Sequence, residues 1–299
     1  MLRLTVGAAA LLTAMPAQAQ PLEPSSRWQV DFGETECLAI RKYGEGAEAT
    51  HLVIKPYATG DRFEIALIDD RVTGDTLSQG GTMRVGDDDI ALPGIRFSDD
   101  EAGRTVTTWF GDDLSALSGA EQVDLELGEG ERSLKLTQAT AVVDALQECR
   151  TVLADRYNMS GNVVTTPPQG NVDVLRDEDY PLLALDEDQE SVFRALLLLD
   201  EEGNVAECSL LSFAGDALFV ARSCGLIRER ARFEPAIGPD GTAVRSAFVT
   251  PVVQWRLGKE ISNQTFRDFE RRDRAIRERS RGPGDSEGVL LRPPGERPR

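Results

Sequence analysis

The feature that most constrains this chain is an apolar run from Val192 to Leu199, interrupted only by Arg194. Large aliphatic side chains favour burial by roughly 1.5–3 kcal/mol each, so nearly the whole run must be inside the protein. The run is far short of the ~20 residues that span a bilayer. A turn signal, Asp200 to Asn204, follows, and alternation resumes from Val205 to Leu211. This predicts a buried β-hairpin, with a helix as the competing prediction for the leucines.

The residues after the hairpin predict a helix and a further strand. Ser212 to Gly215 has the small residues of a loop, and Ala217 to Arg230 has a helical pattern. A last strand is predicted from Val244 to Leu257. Pro251 lies inside it and cannot donate to a ladder, so this strand should be an edge strand or carry a bulge.

This order of motifs resembles the C-terminal domain of the TonB family. The matching positions are Tyr180-Pro181, Ala184, Asp200 with Gly203 and Val205, Gly215, Leu218, Arg230 to Ala236, and Pro251-Val252. The chain departs from the family pattern at Ser191, where the family usually has Gly, and at Phe219, where it often has Asp. The resemblance implies a small α+β module over residues 175–258, built as helix, β-hairpin, helix and strand.

The resemblance also implies a function, which is to bind an extended segment of an envelope or outer-membrane transport protein by β-strand addition. The partner-binding residues it suggests are Tyr180, Pro181, Val244, Ser246, Phe248, Thr250 and Val252. Trp255 and Phe248 fit either core or surface. One alternative is a membrane-anchored TonB-type energy transducer for outer-membrane transport. Another is an envelope enzyme seated in the N-terminal domain.

The first half of the chain predicts a separate β-rich domain over residues 25–157. Short alternating segments are punctuated by Gly and Asp clusters, which is typical of an antiparallel sandwich or barrel. One helix ends the domain, because Val142, Leu146, Cys149 and Leu153 recur at helical spacing. The fold class predicted for the whole chain is therefore α+β.

The segments outside the two domains have their own signatures. Arg3, the apolar stretch Leu4 to Met15 and Ala17-Gln18-Ala19 predict a signal peptide over residues 1–19, and thus export to the periplasm. An uncleaved inner-membrane anchor is the alternative. Residues 158–174 hold Pro167-Pro168 and predict a linker. Residues 259–281 predict a solvated charged helix, and residues 282–299 a disordered tail.

The four cysteines form an even set, as a disulfide framework in an exported protein requires. Three pairings are possible. We favour Cys37–Cys149 and Cys208–Cys224, because each bond then stays within one predicted domain. A metal site is disfavoured, since there is no Cys-x-x-Cys and His51 is the only histidine.

Charge and motifs exclude several functions. A net charge of −18 disfavours nucleic acid and anionic membranes as partners. We find no catalytic motif, no phosphate-binding loop and no cofactor fingerprint. Asp87-Asp88-Asp89 lacks the alternating ligands of a calcium loop and reads as an acidic turn. We therefore expect a protein that is not an enzyme, with no cofactor, no metal and no small-molecule substrate.

Overall fold

The structure, a computed structural model, describes residues 20–72, 76–99, 102–159, 163–186, 188–257 and 263–279. These residues form a mixed, mainly β protein with a large curled antiparallel sheet, a smaller sheet and four helices. The α+β class predicted from the sequence is confirmed at this level. The predicted signal peptide, residues 1–19, and the predicted tail, residues 282–299, lie outside the described residues.

The large sheet contains nine antiparallel strands. They are β1 (Gln29–Phe32), β2 (Cys37–Tyr43), β3 (Thr50–Pro56), β4 (Phe63–Asp69), β5 (Leu77–Val85), β6 (Asp88–Asp99), β7 (Arg104–Gly111), β8 (Gln122–Leu127) and β9 (Gly130–Lys135). Their order across the sheet is β1-β2-β3-β4-β7-β6-β5-β8-β9. Every second residue of β2 and β3 is buried, which is the pattern of a sheet with one face on a core.

Helix α1 (Ala139–Arg156) packs against β1, β2 and β3. Its buried face carries Val142, Leu146, Cys149 and Leu153, the residues whose spacing predicted the helix. The disulfide Cys37–Cys149 ties α1 to β2. The helix and the sheet thus share one hydrophobic core.

The rim of the large sheet is closed by the segment before β1. Leu22 exchanges two main-chain hydrogen bonds with β9, at Ser133 (2.8 Å) and Lys135 (3.1 Å), and the Ser25 N–H donates to the Lys42 carbonyl on β2 (2.9 Å). One segment therefore bridges β9 and β2, and the curled sheet becomes barrel-like. We call residues Leu22 to Ser25 the clasp.

The C-terminal module follows. Its elements are α2 (Leu182–Asp186), β10 (Ser191–Leu199), β11 (Val205–Gly215), α3 (Ala217–Arg230), β12 (Ala236–Ile237), β13 (Ala243–Val244), β14 (Ser246–Val249), β15 (Val253–Trp255) and α4 (Asn263–Arg279). Strand β10 is central: it pairs with β11 on one side and with β14 and β15 on the other. All nine of its residues are buried, as the apolar run requires.

Two boundaries differ from the sequence prediction. Strand β11 continues through Gly215 instead of ending at Leu211, because Ser212 to Gly215 stay paired with β10 across a β-bulge. The predicted strand Val244 to Leu257 is broken into β13, β14 and β15. Pro251 lies at the break between β14 and β15, where it has no ladder bond to supply.

The turn between β10 and β11 needs its glycine. Gly203 has a φ of +81°, and a Cβ added there would overlap the carbonyl oxygen of Phe233. The Phe233 N–H in turn donates to the Gly203 carbonyl at 2.9 Å. This contact fixes the exit of α3 against the hairpin.

Helix α4 is docked, so the predicted solvated charged helix is wrong on this point. Phe269 is 3% exposed and packs with Val192 and Ala214. Asp273 is also buried, and its carboxylate accepts a 2.7 Å hydrogen bond from Ser212 Oγ. Phe269, together with the contacts of Asp273 to Ser212 and to the buried Arg194 (3.7 Å), holds an otherwise charged helix to the sheet.

The segment predicted as a linker is hydrogen-bonded to the C-terminal module. Gln169 and Glu234 exchange two main-chain bonds, of 3.1 and 2.8 Å, and Thr166 pairs with Ile237. The two regions also share a hydrophobic core, because Leu196 and Leu198 of β10 pack in the same cluster as α1.

Candidate functional site

The candidate site is the edge of the small sheet formed by β14 and β15. The orientation of its backbone follows from one contact: Thr250, between the two strands, donates its N–H to the Ala195 carbonyl at 2.9 Å. Its hydroxyl accepts the Ala195 N–H, also at 2.9 Å. Both main-chain groups of Ala195, its N–H and its carbonyl, therefore point from β10 toward this edge.

Alternation along β10 fixes the orientation of β15. Ser191 and Phe193 lie four and two residues before Ala195, so their main-chain groups also point toward β15. Their partners, Trp255 and Val253, point back at β10. The N–H and carbonyl of Gln254, between them, face outward. Gln254 is itself an exposed residue, and no backbone hydrogen bond to another strand is formed at this outer side within the described residues.

The β14 half of the edge is more enclosed. The Arg245 carbonyl, just before β14, accepts a 2.7 Å hydrogen bond from the Asn158 side chain. The Arg245 guanidinium lies 5.9 Å from the ring centre of Tyr157 and is also paired with Glu201 at 3.0 Å. The residues after α1 thus contact this end of the edge, and the accessible part is β15.

Several predicted partner-binding side chains are inside the module. Ser246, Phe248 and Thr250 are buried, and the Phe248 ring lies 4.8 Å from that of Phe233. Val244 is half-buried on β13, and Val252 is half-buried beside Val192, Ala214 and Phe269. These residues form the frame of the site, and the structure does not bring their side chains together on its surface.

Tyr180 and Pro181 lie at the start of α2, and both are half-buried. The Tyr180 ring packs edge-on against Phe219 (5.0 Å) and Trp255 (5.5 Å), and its hydroxyl donates to the Gln189 carbonyl (2.5 Å). Burial raises the pKa of the Tyr180 hydroxyl, and the carboxylates of Glu190 and Asp188 raise it further. Tyr180 thereby fixes α2 next to the end of β15.

Trp255 belongs to the core. It is 6% exposed, and its indole N–H donates to Ser223 Oγ on α3 at 2.8 Å. Ser223 itself donates to the Phe219 carbonyl at 2.6 Å. This chain of bonds anchors β15 to α3, so the edge strand is held from one face while its outer side pairs with no other described strand.

The opposite edge of the small sheet is covered. Arg62, from the segment before β4, is buried and donates to the carbonyls of Leu210 and Leu211 on β11. Its Nε also donates to Asp112 at 3.0 Å. The large-sheet region therefore caps the β11 edge, and strand addition there would require these bonds to break.

An ion pair between the two regions lies beside this covered edge. Lys55 Nζ of β3 is 2.7 Å from both Glu207 Oε1 of β11 and Glu36 Oε2. Burial alone would lower the pKa of Lys55, but the carboxylates of Glu207, Glu64 and Glu36 raise it above its usual value. Burial raises the pKa of Glu207, against the lowering effect of Lys55. The pair joins the two regions.

Apart from this edge, the protein has a cleft of about 640 Å³ between the β5–β6 hairpin and the end of β11. Asp188, Glu190, Asp216, Asp268 and Arg272 lie in its wall. Within the described residues, no group of three or more His, Cys, Asp or Glu side chains could hold a metal ion. In the predicted acidic turn, Asp89 pairs with Arg84 at 2.5 Å.

Both favoured disulfides, Cys37–Cys149 and Cys208–Cys224, are formed. Two disulfides fit an oxidising compartment outside the cytoplasm. In the described part of the chain, none of the helices combines the length and apolarity that a membrane span requires. No protein-family model, no curated protein and no solved structure matches this chain.

Two residues that distinguish the open part of the edge from the enclosed part, Gln254 and Asn158, were not predicted from the sequence. Gln254 alternates with Val253 and Trp255, a signal that could have marked it as outward-facing. Asn158 could not have been found this way, because its contact with Arg245 spans 87 residues of sequence.

Proposed function

We propose that this protein is an exported protein-interaction module, and that an extended segment of an envelope or outer-membrane transport protein adds to the outer edge of β15. The observation that carries the proposal is the outward-facing backbone of Gln254, an exposed residue on a strand that pairs only with β10 among the described residues. Such an edge is a template for another strand.

The arrangement of the module supports this choice of edge. The order α2, β10–β11 hairpin, α3, β14–β15 is the order that the resemblance to the TonB family implies, with the last strand next to the first. The β11 edge is capped by Arg62, so β15 offers the more accessible backbone. The resemblance and the geometry favour the same edge.

Strand addition also explains how a site can work with buried side chains. In this mode the main-chain hydrogen bonds supply affinity, and side chains beside the groove supply selectivity. Ser246, Phe248 and Thr250 then shape the edge from inside, and the partner meets the backbone. Predicted export by the signal peptide would place this edge in the periplasm.

Substitution at Gln254 tests the proposal. Gln254→Pro removes the outward N–H without removing a bond to β10, so the fold should survive while partner capture is lost. Gln254→Thr keeps the N–H and changes only the side chain, and it should capture partners normally. Capture is measured by photo-crosslinking in cells from a reactive residue at Leu257, next to the edge.

A reactive residue at Phe32 is the matched control, because Phe32 is 44% exposed on β1 of the other sheet. Adducts specific to Leu257 that disappear with Gln254→Pro are expected. The proposal fails if Gln254→Pro, shown to be folded, captures the same partners as the native chain.

A further inference from the structure

Three exposed leucines lie on α2 and just after β15. Leu182 is 76% exposed, Leu185 is 46% exposed and Leu257 is 43% exposed. Single exposed apolar residues are ordinary on protein surfaces, but three large ones on two neighbouring elements are informative because clustered apolar surface marks interaction sites.

Three contacts place α2, which carries Leu182 and Leu185, beside β15. Tyr180 precedes α2, and its ring lies 5.5 Å from that of Trp255. The Leu257 N–H donates to Glu190 Oε1 at 3.2 Å. Ser191, the first residue of β10, pairs with Trp255. The helix and the strand end therefore form one surface.

This surface is strongly acidic. Residues 176–190 include seven Asp or Glu and one Arg. Arg176 forms an ion pair with Glu178 at 3.2 Å, and Asp179 forms one with Arg230 at 2.7 Å. Asp177, Asp186 and Asp188 are further exposed acidic residues of the same stretch that carries Leu182 and Leu185. A neighbouring segment would meet apolar contacts within a negative field.

We propose that the segment added to β15 carries apolar side chains together with Lys or Arg. This inference rests on the proposed function and specifies the chemistry of its partner. In an added strand, alternate side chains lie on the face that carries Trp255 and Tyr180. There the apolar ones contact Leu182 and Leu185, while the basic ones pair with the carboxylates and speed association.

Short labelled peptides provide the test, with the full chain as receptor and fluorescence anisotropy as the readout. Three peptides of equal length are compared: apolar residues alternating with Lys, apolar residues alternating with Glu, and the Lys peptide methylated on its backbone nitrogens. We expect the Lys peptide to bind about tenfold more tightly than the Glu peptide at low salt, with the advantage shrinking as salt rises. Backbone methylation should abolish binding.

Variants of the chain locate the contact. Leu182→Ser combined with Leu185→Ser should weaken the Lys peptide about tenfold, which corresponds to about 1.4 kcal/mol. Val152→Ser is the control, because Val152 is 44% exposed on α1, which packs against the large sheet. Asp186→Asn with Asp188→Asn should reduce the salt dependence and leave the fold unchanged.

The outcomes separate the two proposals. If the Glu peptide binds as tightly as the Lys peptide and both are sensitive to methylation, the partner chemistry is wrong and strand addition stands. If no peptide binds, or if methylation has no effect, the proposed function fails as well. A concentration-dependent dimer abolished by Leu182→Ser would overturn the inference in favour of a second copy of this chain.

Discussion

The large and the small sheet are each joined to a helix by one disulfide. They differ in how their edge strands are covered. In the large sheet the clasp pairs with both β9 and β2 and closes the rim. In the small sheet Arg62 caps the β11 edge, while the β15 edge keeps its outward backbone at Gln254. Exposed strand edges invite association, so an edge left open where the opposite edge of the same sheet is capped is a candidate for binding.

The disulfides should show the largest difference between the two regions. Cys37–Cys149 spans 112 residues and Cys208–Cys224 spans 16. If a disulfide acts by restricting the unfolded chain, replacing the first pair by Ser should cost about 4.7 kcal/mol and replacing the second about 3 kcal/mol. Unfolding in guanidinium, followed by tryptophan fluorescence, measures both losses. A larger loss for the shorter loop would contradict this ranking.

The contact between the two regions should show an intermediate effect. Lys55→Met leaves the buried Glu207 with the more distant Arg228, at 3.8 Å, as its basic neighbour within the described residues. We expect a loss of about 2 kcal/mol at neutral pH, below the 3–5 kcal/mol of a fully buried pair, because Lys55 is partly exposed. The loss should shrink at acidic pH, where the raised pKa of Glu207 allows it to become neutral.

Arg228→Met is the matched control, because the Arg228 side chain is 54% exposed and should contribute under about 1 kcal/mol. Adding Glu207→Gln to Lys55→Met should recover most of the lost stability. Equal losses for Lys55→Met and Arg228→Met would mean that this pair does not hold the two regions together.

The tyrosines should show the smallest effect at neutral pH. Burial raises the pKa of all four, and it raises that of Tyr43 to about 12. A folded pKa above the unfolded value of ~10 gives stability that is complete below pH ~10 and is lost as the pH rises toward 12. Phenolate absorbance should therefore appear later than in free tyrosine.

Tyr180→Phe removes the contribution of the C-terminal module from the phenolate absorbance, because the other three tyrosines lie in or beside the large-sheet region. The difference from the native curve should place the Tyr180 transition above the free value. A Tyr180 transition at the free value would indicate that α2 is not held against Trp255.

The parts of the fold that the sequence predicted have a local cause. The apolar run Val192 to Leu199, followed by Asp200 and Gly203, determines both the burial of β10 and the position of the turn. The helical spacing of Val142 and Leu146 determines the buried face of α1 in the same way.

The parts that the sequence missed depend on distant contacts. Ser212 looks like a loop residue, but its side chain bonds Asp273 of α4 and its backbone pairs with β10. Asp273 in turn looks like a solvated charge within a helix rich in Arg and Glu. The enclosure of the β14 half of the edge could not be predicted either, because it depends on the hydrogen bond from Asn158 to Arg245. No local pattern encodes such pairs.

The two main-chain bonds between Gln169 and Glu234 have a mechanical consequence. They fasten the connecting segment along the small module, and the shared core of α1 with Leu196 and Leu198 joins that module to the barrel-like body. Any tension that a bound strand exerts on β15 would pass into that body as shear on hydrogen bonds, which yield only when many break together. The two regions would then resist a pulling force on β15 together, as one mechanical unit.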